Sequence, residues 1–508
     1  MKKTVFILMI LTIVAKFIGL ARELTLSYFF GATNVSDAYL ISQTIPAVLF
    51  GFVGAGLSTC YIPIYSDVLR KKGAGPAIDF TNNVTNVFIA ISTIIIALVL
   101  IFTKPIVLLF ASGFSGDTLK LAMAFTQVSV LAIYFTAIGY IYRSYLQLKD
   151  SFILPTVLGF VSNFIIIISI ILSSKSIVMI LAIGSVLAAA SQVVFLIPSL
   201  YKKGYKYSLI FDLKDFHIRK MCKQALPVII GNSANQINWL VDRTLASRIV
   251  VGGISALYYA NKLNGFVQGI FVASIATVMY PKISKMAAEN DIEKVKGSLR
   301  ESVTISNLLV VPATIISMIF AEPIVALLFG RGAFDAKAID LTSYALFFYS
   351  VGMVGFGLRE VLSRGFYSLQ DTRTPMINAF IAMVMNIVLN IILSRFLGIG
   401  GLALATSISA IFCTVLLFIS LKKKIGSFGI KEISISLSKI LFASLIMGFI
   451  AKYVYNILII NLDYKIALLA SMGIGGLVYL AAIYIMRIED VDTLVREIKE
   501  WLKRRKGI

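Results

Sequence analysis

The sequence predicts an all-α protein that crosses a membrane many times, built as two parallel six-helix repeats plus two extra helices. Composition, the placement of cations and an internal repeat predict this class. The 508-residue chain is 58% hydrophobic and 14% charged, with a mean hydropathy of +0.91. Soluble domains carry about 25% charged residues, and a membrane helix needs about 20 apolar residues. The chain therefore has room for many spans and for little soluble structure.

Apolar segments separated by short polar breaks predict about fourteen membrane spans. The first segment follows Lys2 and Lys3 without a small-residue cleavage site after it, so we expect a retained helix and not a signal peptide. The predicted limits are 4–29, 36–65, 83–103, 119–142, 153–173, 177–200, 222–248, 255–280, 302–321, 339–363, 375–395, 400–421, 434–458 and 464–486.

Cations are concentrated in alternate breaks. Clusters begin at Arg70, Arg143, Lys202, Lys282 and Lys422, whereas the breaks between them carry few cations. Because short cytoplasmic loops are enriched in Lys and Arg, both termini are predicted to be cytoplasmic. The net charge of +22 then reflects orientation and attraction to an anionic lipid bilayer, and no nucleic-acid partner is expected. In the tail, residues 489–508, apolar residues recur at helical spacing with basic residues between them, which predicts a basic amphipathic helix on the inner leaflet.

An internal repeat divides the chain. YIPIYSDV at Pro63 matches MYPKISKM at Pro281, and KPIVLLF at Pro105 matches EPIVALLF at Pro323, both at an offset of 218 in the numbering. YLQLKD, ending at Asp150, resembles FYSLQD, ending at Asp371, at an offset of 221. Lobes with an even number of spans insert in the same orientation and enclose a cavity near the midplane. The predicted domains are lobes 1–200 and 222–422, a cytoplasmic linker 201–221, and two additional helices within 433–487.

Several ionisable residues fall inside predicted spans, where charge is expensive and usually faces a bundle interior or a wet cavity. They are Lys16, Arg22, Glu23 and Asp37 in the first lobe, and Asp242, Arg243, Lys262, Arg359 and Glu360 in the second. Basic clusters in both lobes suit an anionic ligand such as a phosphate or diphosphate. Internal ion pairing, for example of Arg22 with Glu23 or Asp37, is a compatible alternative.

A second candidate site is a weak sodium site. Asn386 and Asn390 are four residues apart and share a helix face, and Thr406 and Asp242 would complete a cluster of oxygen ligands. The alternative is that the amides hydrogen-bond between helices. The sequence contains no nucleotide-binding loop, no metal-ligand spacing and no nucleophile with a base, so we expect no enzyme and no cofactor. Energy would come from a sodium or other ion gradient, the membrane potential or the substrate gradient.

Three stretches resemble the MurJ (MviN) lipid II flippase family of the multidrug/oligosaccharidyl-lipid/polysaccharide exporter superfamily. The first contains Gly19, Arg22-Glu23, Gly31 and Asp37-Ala38-Tyr39; the second is Tyr258–Leu263; the third, Gly365–Pro375, contains Tyr367, Asp371, Arg373 and Pro375. The resemblance covers about residues 10 to 486 and implies fourteen helices.

The resemblance implies a flippase of the bacterial cell membrane that moves an undecaprenyl-diphosphate-linked peptidoglycan precursor to the outer leaflet by alternating access. Lys16, Arg22 and Lys262 would bind the diphosphate, with Glu23 and Asp37 in the same substrate-binding cavity. The last two spans would form a groove for the polyprenyl tail. Cell-wall synthesis enzymes are candidate partners.

The chain departs from the family pattern at several positions. Lys16 and Lys262 stand where the family usually has arginine, and Phe50, Gly51 and Ala55 stand where it often has basic residues followed by glutamate. A flippase for another polyprenyl-diphosphate-linked polysaccharide is therefore an alternative. A cation-coupled drug exporter is a weaker one, because that family usually has twelve spans. A membrane glycan polymerase is weaker still, because no large outer loop is predicted.

Overall fold

The computed structural model describes residues 2–151 and 153–486, without the side chains of 2–10, 52, 53, 55–59 and 226–235. The predicted amphipathic tail, 489–508, lies outside the described residues. The described part folds into helices and contains no strand. The helices are α1 Lys2–Phe30, α2 Asn34–Lys72, α3 Ala74–Ile101, α4 Thr103–Phe110, α5 Gly116–Ser129, α6 Ala132–Leu148, α7 Ile153–Lys175, α8 Ile180–Lys202, α9 Phe216–Ile249, α10 Gly253–Ile270, α11 Val272–Ala288, α12 Ile292–Ile319, α13 Ala321–Phe329, α14 Ala336–Val351, α15 Met353–Ser368, α16 Arg373–Ile425, α17 Ile430–Leu458 and α18 Tyr464–Ile485.

Each predicted span coincides with one helix, with a broken pair of helices, or with one arm of α16. The broken pairs are α5–α6, α10–α11 and α14–α15, and the last is bent by 46°. Helix α16 doubles back at Gly398, whose backbone is non-helical with φ 54° and ψ −128°. Among the described residues, nine helical segments are long and apolar enough to cross a membrane, or ten if α14 and α15 form one span. That count takes α16 once and does not include α1, α2 and α9, each of which contains undescribed side chains.

The repeat is visible in the positions at which helices begin and end. Helices α3 and α12 begin and end at the same offset of 218, and each is followed by a phenylalanine with similar backbone angles, φ −107° at Phe102 and −112° at Phe320. The short helices α4 and α13, which the sequence did not predict, follow in both copies. The two halves of the chain are therefore built on one plan.

Later in the repeat the offset becomes 220. Helices α6 and α15 are each followed by a turn that contains one residue in the left-handed backbone conformation. These residues are Asp150, with φ 58°, and Gln370, with φ 57°. In both turns the following N–H donates back to the helix at 2.9 Å, from Ser151 to Leu146 and from Asp371 to Phe366. This is the Schellman pattern of a helix end. The pairing of Asp150 with Asp371 is therefore wrong by one position.

The chain forms two compact units: Met1–Ala256 with Arg331–Ala338, and Leu257–Gly330 with Ile339–Ile508. Helix α9 belongs to the first unit, although the repeat pairs it with α1. Its C-terminal end is held by the segment after α4, since Thr244 Oγ1 donates to the Leu109 carbonyl oxygen at 2.7 Å and Gly113 N–H donates to Ser247 Oγ at 3.0 Å. The predicted domain limits follow the sequence repeat and remain a prediction.

Each unit has its own apolar core. In the first, Tyr61 and Tyr65 lie fully buried among α2, α3 and α6. In the second, Leu299 and Phe366 lie in a core between α11, α12, α15 and α16. Helices α17 and α18 pack against α12, and the Tyr479 hydroxyl donates to the Leu308 carbonyl oxygen at 2.7 Å. The two additional helices thus belong to the second unit.

Candidate substrate and ion sites

Helix α1 carries three of the charged residues predicted to bind substrate. Arg22 and Glu23 form an ion pair, and their side chains are 26% and 3% exposed. Lys16, two turns earlier, is partly buried. A buried carboxylate is stable only with a partner, and here the adjacent guanidinium supplies it. The pairing of Arg22 with Glu23 considered from the sequence is therefore present, and it fixes a cation within the predicted span.

Asp37, in the first turn of α2, lies against the start of α10 and is 2% exposed. Its Oδ2 accepts a hydrogen bond from the Gly252 N–H, and its Oδ1 accepts one from the Ser255 N–H, both at 2.8 Å. The Ser255 hydroxyl also donates to Oδ1. An acidic side chain at a helix N-terminus satisfies N–H groups that have no partner within the helix. Asp37 thus holds the α9–α10 turn with both oxygens, so this geometry makes it a positioning residue.

Three turns of the first unit meet around Gly31, the glycine of the first family motif. The Ala333 N–H donates to the Tyr28 carbonyl oxygen at 2.8 Å. Gly31 has φ 57°, and a Cβ there would lie 2.3 Å from the Ala333 oxygen; at Gly332 it would lie 2.2 Å from the Tyr28 oxygen. Glycine is required at both positions because main chain lies directly against main chain.

The third of these turns precedes α10. Gly252 has φ 82°, and a Cβ there would lie 2.1 Å from the Ala32 carbonyl oxygen. Sequence reasoning did not single out Gly252, Gly332 or Ser255. The only available signals were the paired glycines at 252–253 and the Gly-Arg-Gly run at 330–332. Gly19, the other motif glycine, has no heavy atom within 4 Å of a Cβ built on it.

Lys262 is exposed on α10 in the second unit. Its Nζ lies 4.9 Å from the centre of the Tyr258 ring, one helical turn earlier. A cation over an aromatic face gains electrostatic attraction from the ring. The tyrosine therefore holds the lysine side chain against the helix, which the sequence motif Tyr258–Leu263 did not reveal.

The predicted sodium ligands fall into different units. In the second unit, Asn390 Nδ2 donates to Asn386 Oδ1 at 3.0 Å, and Asn386 Nδ2 donates to Thr406 Oγ1 at 3.4 Å. The second bond joins the two arms of α16, the kind of contact that the amide alternative describes, and the first lies within one arm. Asp242 lies on α9 in the first unit. No group of three or more His, Cys, Asp and Glu residues suited to a metal occurs within the described part of the chain.

The third family motif fastens the two ends of α16. Asp371 accepts hydrogen bonds from the Thr374 N–H at 3.0 Å, from the Thr374 hydroxyl at 2.8 Å and from Lys424 Nζ at 2.7 Å. The Lys424 ammonium, followed by the Thr374 donors, lowers the pKa of Asp371 to about 2. Pro375 is buried in the first turn of α16, where its missing N–H costs nothing. Tyr367 and Arg373 are exposed.

Comparison with known proteins places these sites in a family. Residues 26–472 match the family described as lipid II flippase MurJ. The lipid II flippase MurJ of Thermosipho africanus is 30% identical over 476 residues, covering 93% of this chain and 94% of the relative. The probable lipid II flippase MurJ of Rickettsia prowazekii is 26% identical over 504 residues, covering 96% and 98%.

Solved structures agree. The lipid II flippase MurJ in an inward closed conformation superposes with a TM-score of 0.84 at 28% identity, covering 96% of this chain and all of that one. A multidrug resistance MATE family transporter of the MOP superfamily, in an inward-facing conformation, shares the fold, with a TM-score of 0.66 at 16% identity over 82% of this chain and 95% of that one. The predicted all-α, multi-pass transporter class is thereby confirmed. The chain belongs to the lipid II flippase MurJ family.

Proposed function

We infer that this chain is a flippase for lipid II, the polyprenyl-diphosphate-linked precursor of peptidoglycan, and acts as a transporter and not as an enzyme. The observation that carries this is likeness along nearly the whole length of both partners, in sequence to MurJ relatives and in structure to a MurJ flippase. Transport would proceed by alternating access, with the substrate held between inward and outward openings.

We propose that Lys16, Arg22 and Lys262 bind the diphosphate. All three are cations at predicted membrane depth, and none of the three is fully buried. A guanidinium presents several N–H donors in a plane, so an ion pair with Glu23 is compatible with a further oxyanion. Charge at this depth is retained for function, because a spanning helix gains nothing from it in stability.

Replacement of the native flippase tests the function. A strain depleted of its own lipid II flippase and supplied with this chain is expected to grow and to place the precursor in the outer leaflet. Arg22→Ala should abolish rescue while the protein still accumulates in the membrane, and Arg22→Lys should restore part of it. Arg70→Ala is the control, because Arg70 is exposed and pairs only locally with Asp67 at 3.2 Å. Normal growth with Arg22→Ala would contradict the role of Arg22 in binding the diphosphate, whereas failure of the unchanged chain to rescue growth would contradict the function.

Lys262 offers a second, independent test. Lys262→Arg keeps the charge and is expected to be tolerated, whereas Lys262→Ala and Lys262→Gln should lose transport. Lys285→Ala, at an exposed lysine on α11, is the control. If Lys262→Gln transports normally, the lysine does not bind the diphosphate.

The headgroup of the substrate is the finer question. Phe50 is 3% exposed and packs with Tyr140, ring centres 5.9 Å apart, at a place where related flippases often carry charge. A headgroup therefore meets a different surface here, which supports a flippase for another polyprenyl-diphosphate-linked polysaccharide as the second candidate. Failure of rescue with good expression, together with restored export of another lipid-linked glycan, would select it.

Orientation is a separate proposal. The alternating cations support cytoplasmic termini in a bacterial cell membrane. In a chain freed of its own three cysteines, single cysteines are placed at exposed positions 72 and 115, in a cation-rich and a cation-poor break. A thiol reagent added from outside should modify only the second, and the reverse pattern would invert the topology.

We also propose an energy source for transport and a class of protein partner. Sodium or membrane-potential coupling is proposed with Asp242, Asn386, Asn390 and Thr406. Asp242→Asn should then weaken any sodium dependence of transport, and transport that does not vary with sodium would remove that site. Cell-wall synthesis enzymes are the proposed protein partners.

A further inference from the structure

The segment between α8 and α9 is fastened to the start of α3 by buried asparagines. We call residues 205–214 the strap. Asn83 donates from Nδ2 to the Asp212 carbonyl oxygen at 2.9 Å and accepts from the Asp212 N–H at 2.8 Å. Asn82 accepts from the Tyr205 hydroxyl at 2.7 Å and donates from Nδ2 to the Lys206 carbonyl oxygen at 3.0 Å. The Asn82 and Asn83 side chains are buried, so these bonds replace contacts with water.

A third asparagine, one turn further along α3, completes the attachment. Asn86 donates to the carbonyl oxygens of Ser208 and Ile210, at 3.2 and 2.8 Å. It accepts from the Tyr207 hydroxyl at 2.8 Å. All three amides therefore use both their oxygen and their nitrogen, and the strap has a fixed register on α3.

The strap keeps four large apolar side chains exposed to its surroundings. Tyr207, Leu209, Phe211 and Leu213 are 46%, 83%, 54% and 56% exposed, while the main chain between them is bound to α3. We call these four side chains, which stand at every second position of the strap, the patch; exposed apolar side chains grouped in this way mark interaction sites.

The position of the strap and the charges around it indicate what its patch would contact. Asn82, Asn83 and Asn86 lie where the predicted third span begins at residue 83, so the strap lies at the level of the membrane interface. Four lysines surround the patch and are exposed: Lys202, Lys203, Lys206 and Lys214. Among the described contacts, none of these lysines forms an ion pair with a carboxylate.

We propose that the strap is an interfacial anchor for the anionic leaflet of the bilayer. Tyr207, Leu209 and Phe211 enter the boundary between headgroups and acyl chains, and the lysines bind the phosphates of anionic lipid. Apolar side chains flanked by lysine favour this depth because the apolar part leaves water while the ammonium stays hydrated. Each lysine adds attraction to a negatively charged surface. The anchor sets the depth of the first unit without taking part in transport.

Tryptophan quenching by brominated lipid tests the anchor in the full chain. Trp239 and Trp501 are first replaced by Phe, and Phe211→Trp is then introduced. In vesicles of phosphatidylglycerol and phosphatidylcholine, brominated acyl chains should quench this strap indole strongly. The matched control is Gly75→Trp in the first turn of α3, at the same end of that helix as the strap, where a Cβ meets nothing within 4 Å. Leu209→Trp serves as a second probe if Phe211→Trp does not fold.

The outcomes separate the alternatives. Bromine on phosphatidylglycerol should quench the strap indole more than bromine on phosphatidylcholine, and Lys206→Gln with Lys214→Gln should reduce that preference at least about twofold. Quenching in the Phe211→Trp protein no greater than in the Gly75→Trp protein would overturn the anchor. Equal quenching by both lipids would overturn its preference for anionic lipid. A strap indole shielded from aqueous acrylamide in native membranes, yet unquenched by lipid, would assign the patch to a protein partner instead.

Discussion

The connection that follows the last helix of each repeat differs between the two repeats. After α8 the chain runs through the strap, whereas after α16 only Gly426 to Gly429 lead into α17. Both connections pass the start of an equivalent helix, α3 in the first unit and α12 in the second. A Cβ at Gly429 would lie 2.8 Å from Arg300 Cδ, and Gly426 and Gly429 both have φ 81°. A long connection is held by side-chain amides, and a short one by the backbone freedom of glycine.

The equivalent positions on the two helices show how the difference arose. At the offset of 218, Asn82 and Asn83 correspond to Arg300 and Glu301. Glu301 makes a half-exposed ion pair with Lys282 at 3.3 Å, where Asn83 makes two buried hydrogen bonds. The same helix register therefore carries a structural contact in one unit and a surface contact in the other.

The largest expected effect on stability comes from replacing Asn83, whose contacts differ from those of Glu301 in the second unit. Asn83→Ala removes two hydrogen bonds and leaves the Asp212 main chain without them, which costs about 2 kcal/mol. Opening of the strap should rise by a factor of about 30, measured as the rate of tryptic cleavage at Lys206 and Lys214. Glu301→Ala, the matched change in the second unit, should cost at most about 1 kcal/mol. Equal, unchanged cleavage in both variants would show that the asparagines do not hold the strap.

The glycines of the two connections come next. Gly429→Ala places a side chain in a left-handed conformation and against Arg300, and should cost about 1–2 kcal/mol. Gly204→Ala, with φ 83° but nothing within 4 Å of its Cβ, should cost only the backbone term of about 1 kcal/mol. Thermal unfolding in detergent compares the two, and Gly429→Asn should recover part of the loss. A greater loss of thermal stability in Gly204→Ala than in Gly429→Ala would contradict this expectation.

The ion pair of Asp371 with Lys424 is a further difference between the two units, because the residue of the first unit that is equivalent to Asp371 is Ser151. Asp371→Asn should destabilise the second unit by about 1 kcal/mol at neutral pH. The pKa of Asp371 is lowered from 3.8 to about 2, so its contribution is complete above the higher value and is lost as the pH falls through the lower one. The difference in melting temperature between wild type and variant should therefore shrink as the pH falls below 3.8. A constant difference down to pH 2 would contradict this assignment.

The smallest effect concerns the shared helix ends. Gln370→Gly and Asp150→Gly relieve a left-handed conformation worth about 1 kcal/mol but add flexibility to the unfolded chain. Both changes should alter stability by no more than about 0.5 kcal/mol, and by the same amount in the two units. Unequal melting shifts would mean that the two turns are not equivalent.

Much of the architecture could be predicted from the sequence because it depends on local signals. Apolar length located the spans, and the Pro105 and Pro323 matches located the repeat. Helices α4 and α13 were not predicted because eight or nine residues are too short to span a membrane. The breaks near Val130, Phe271 and Gly352 interrupt spans without any polar break.

The candidate sites were predictable only where partners are near in sequence. The contacts of Arg22 with Glu23 and of Asn386 with Asn390 could be anticipated because adjacency or helix periodicity brings each pair together. The nearer partner of Asp37, Gly252, lies 215 residues later, and no local pattern indicates a contact over such a distance. The strap was missed for the same reason, since Asn82 meets it 123 residues later.

The meeting of the turns at Gly31, Gly252 and Gly332 has a consequence for mutational mapping. The atoms in contact there belong to peptide groups, so removing neighbouring side chains other than that of Asp37 would leave the contact untouched and unnoticed. Only an added methyl group would disclose it. A scan in which glycines gain a carbon should therefore produce three isolated sensitive positions, far apart in the gene, that report one junction.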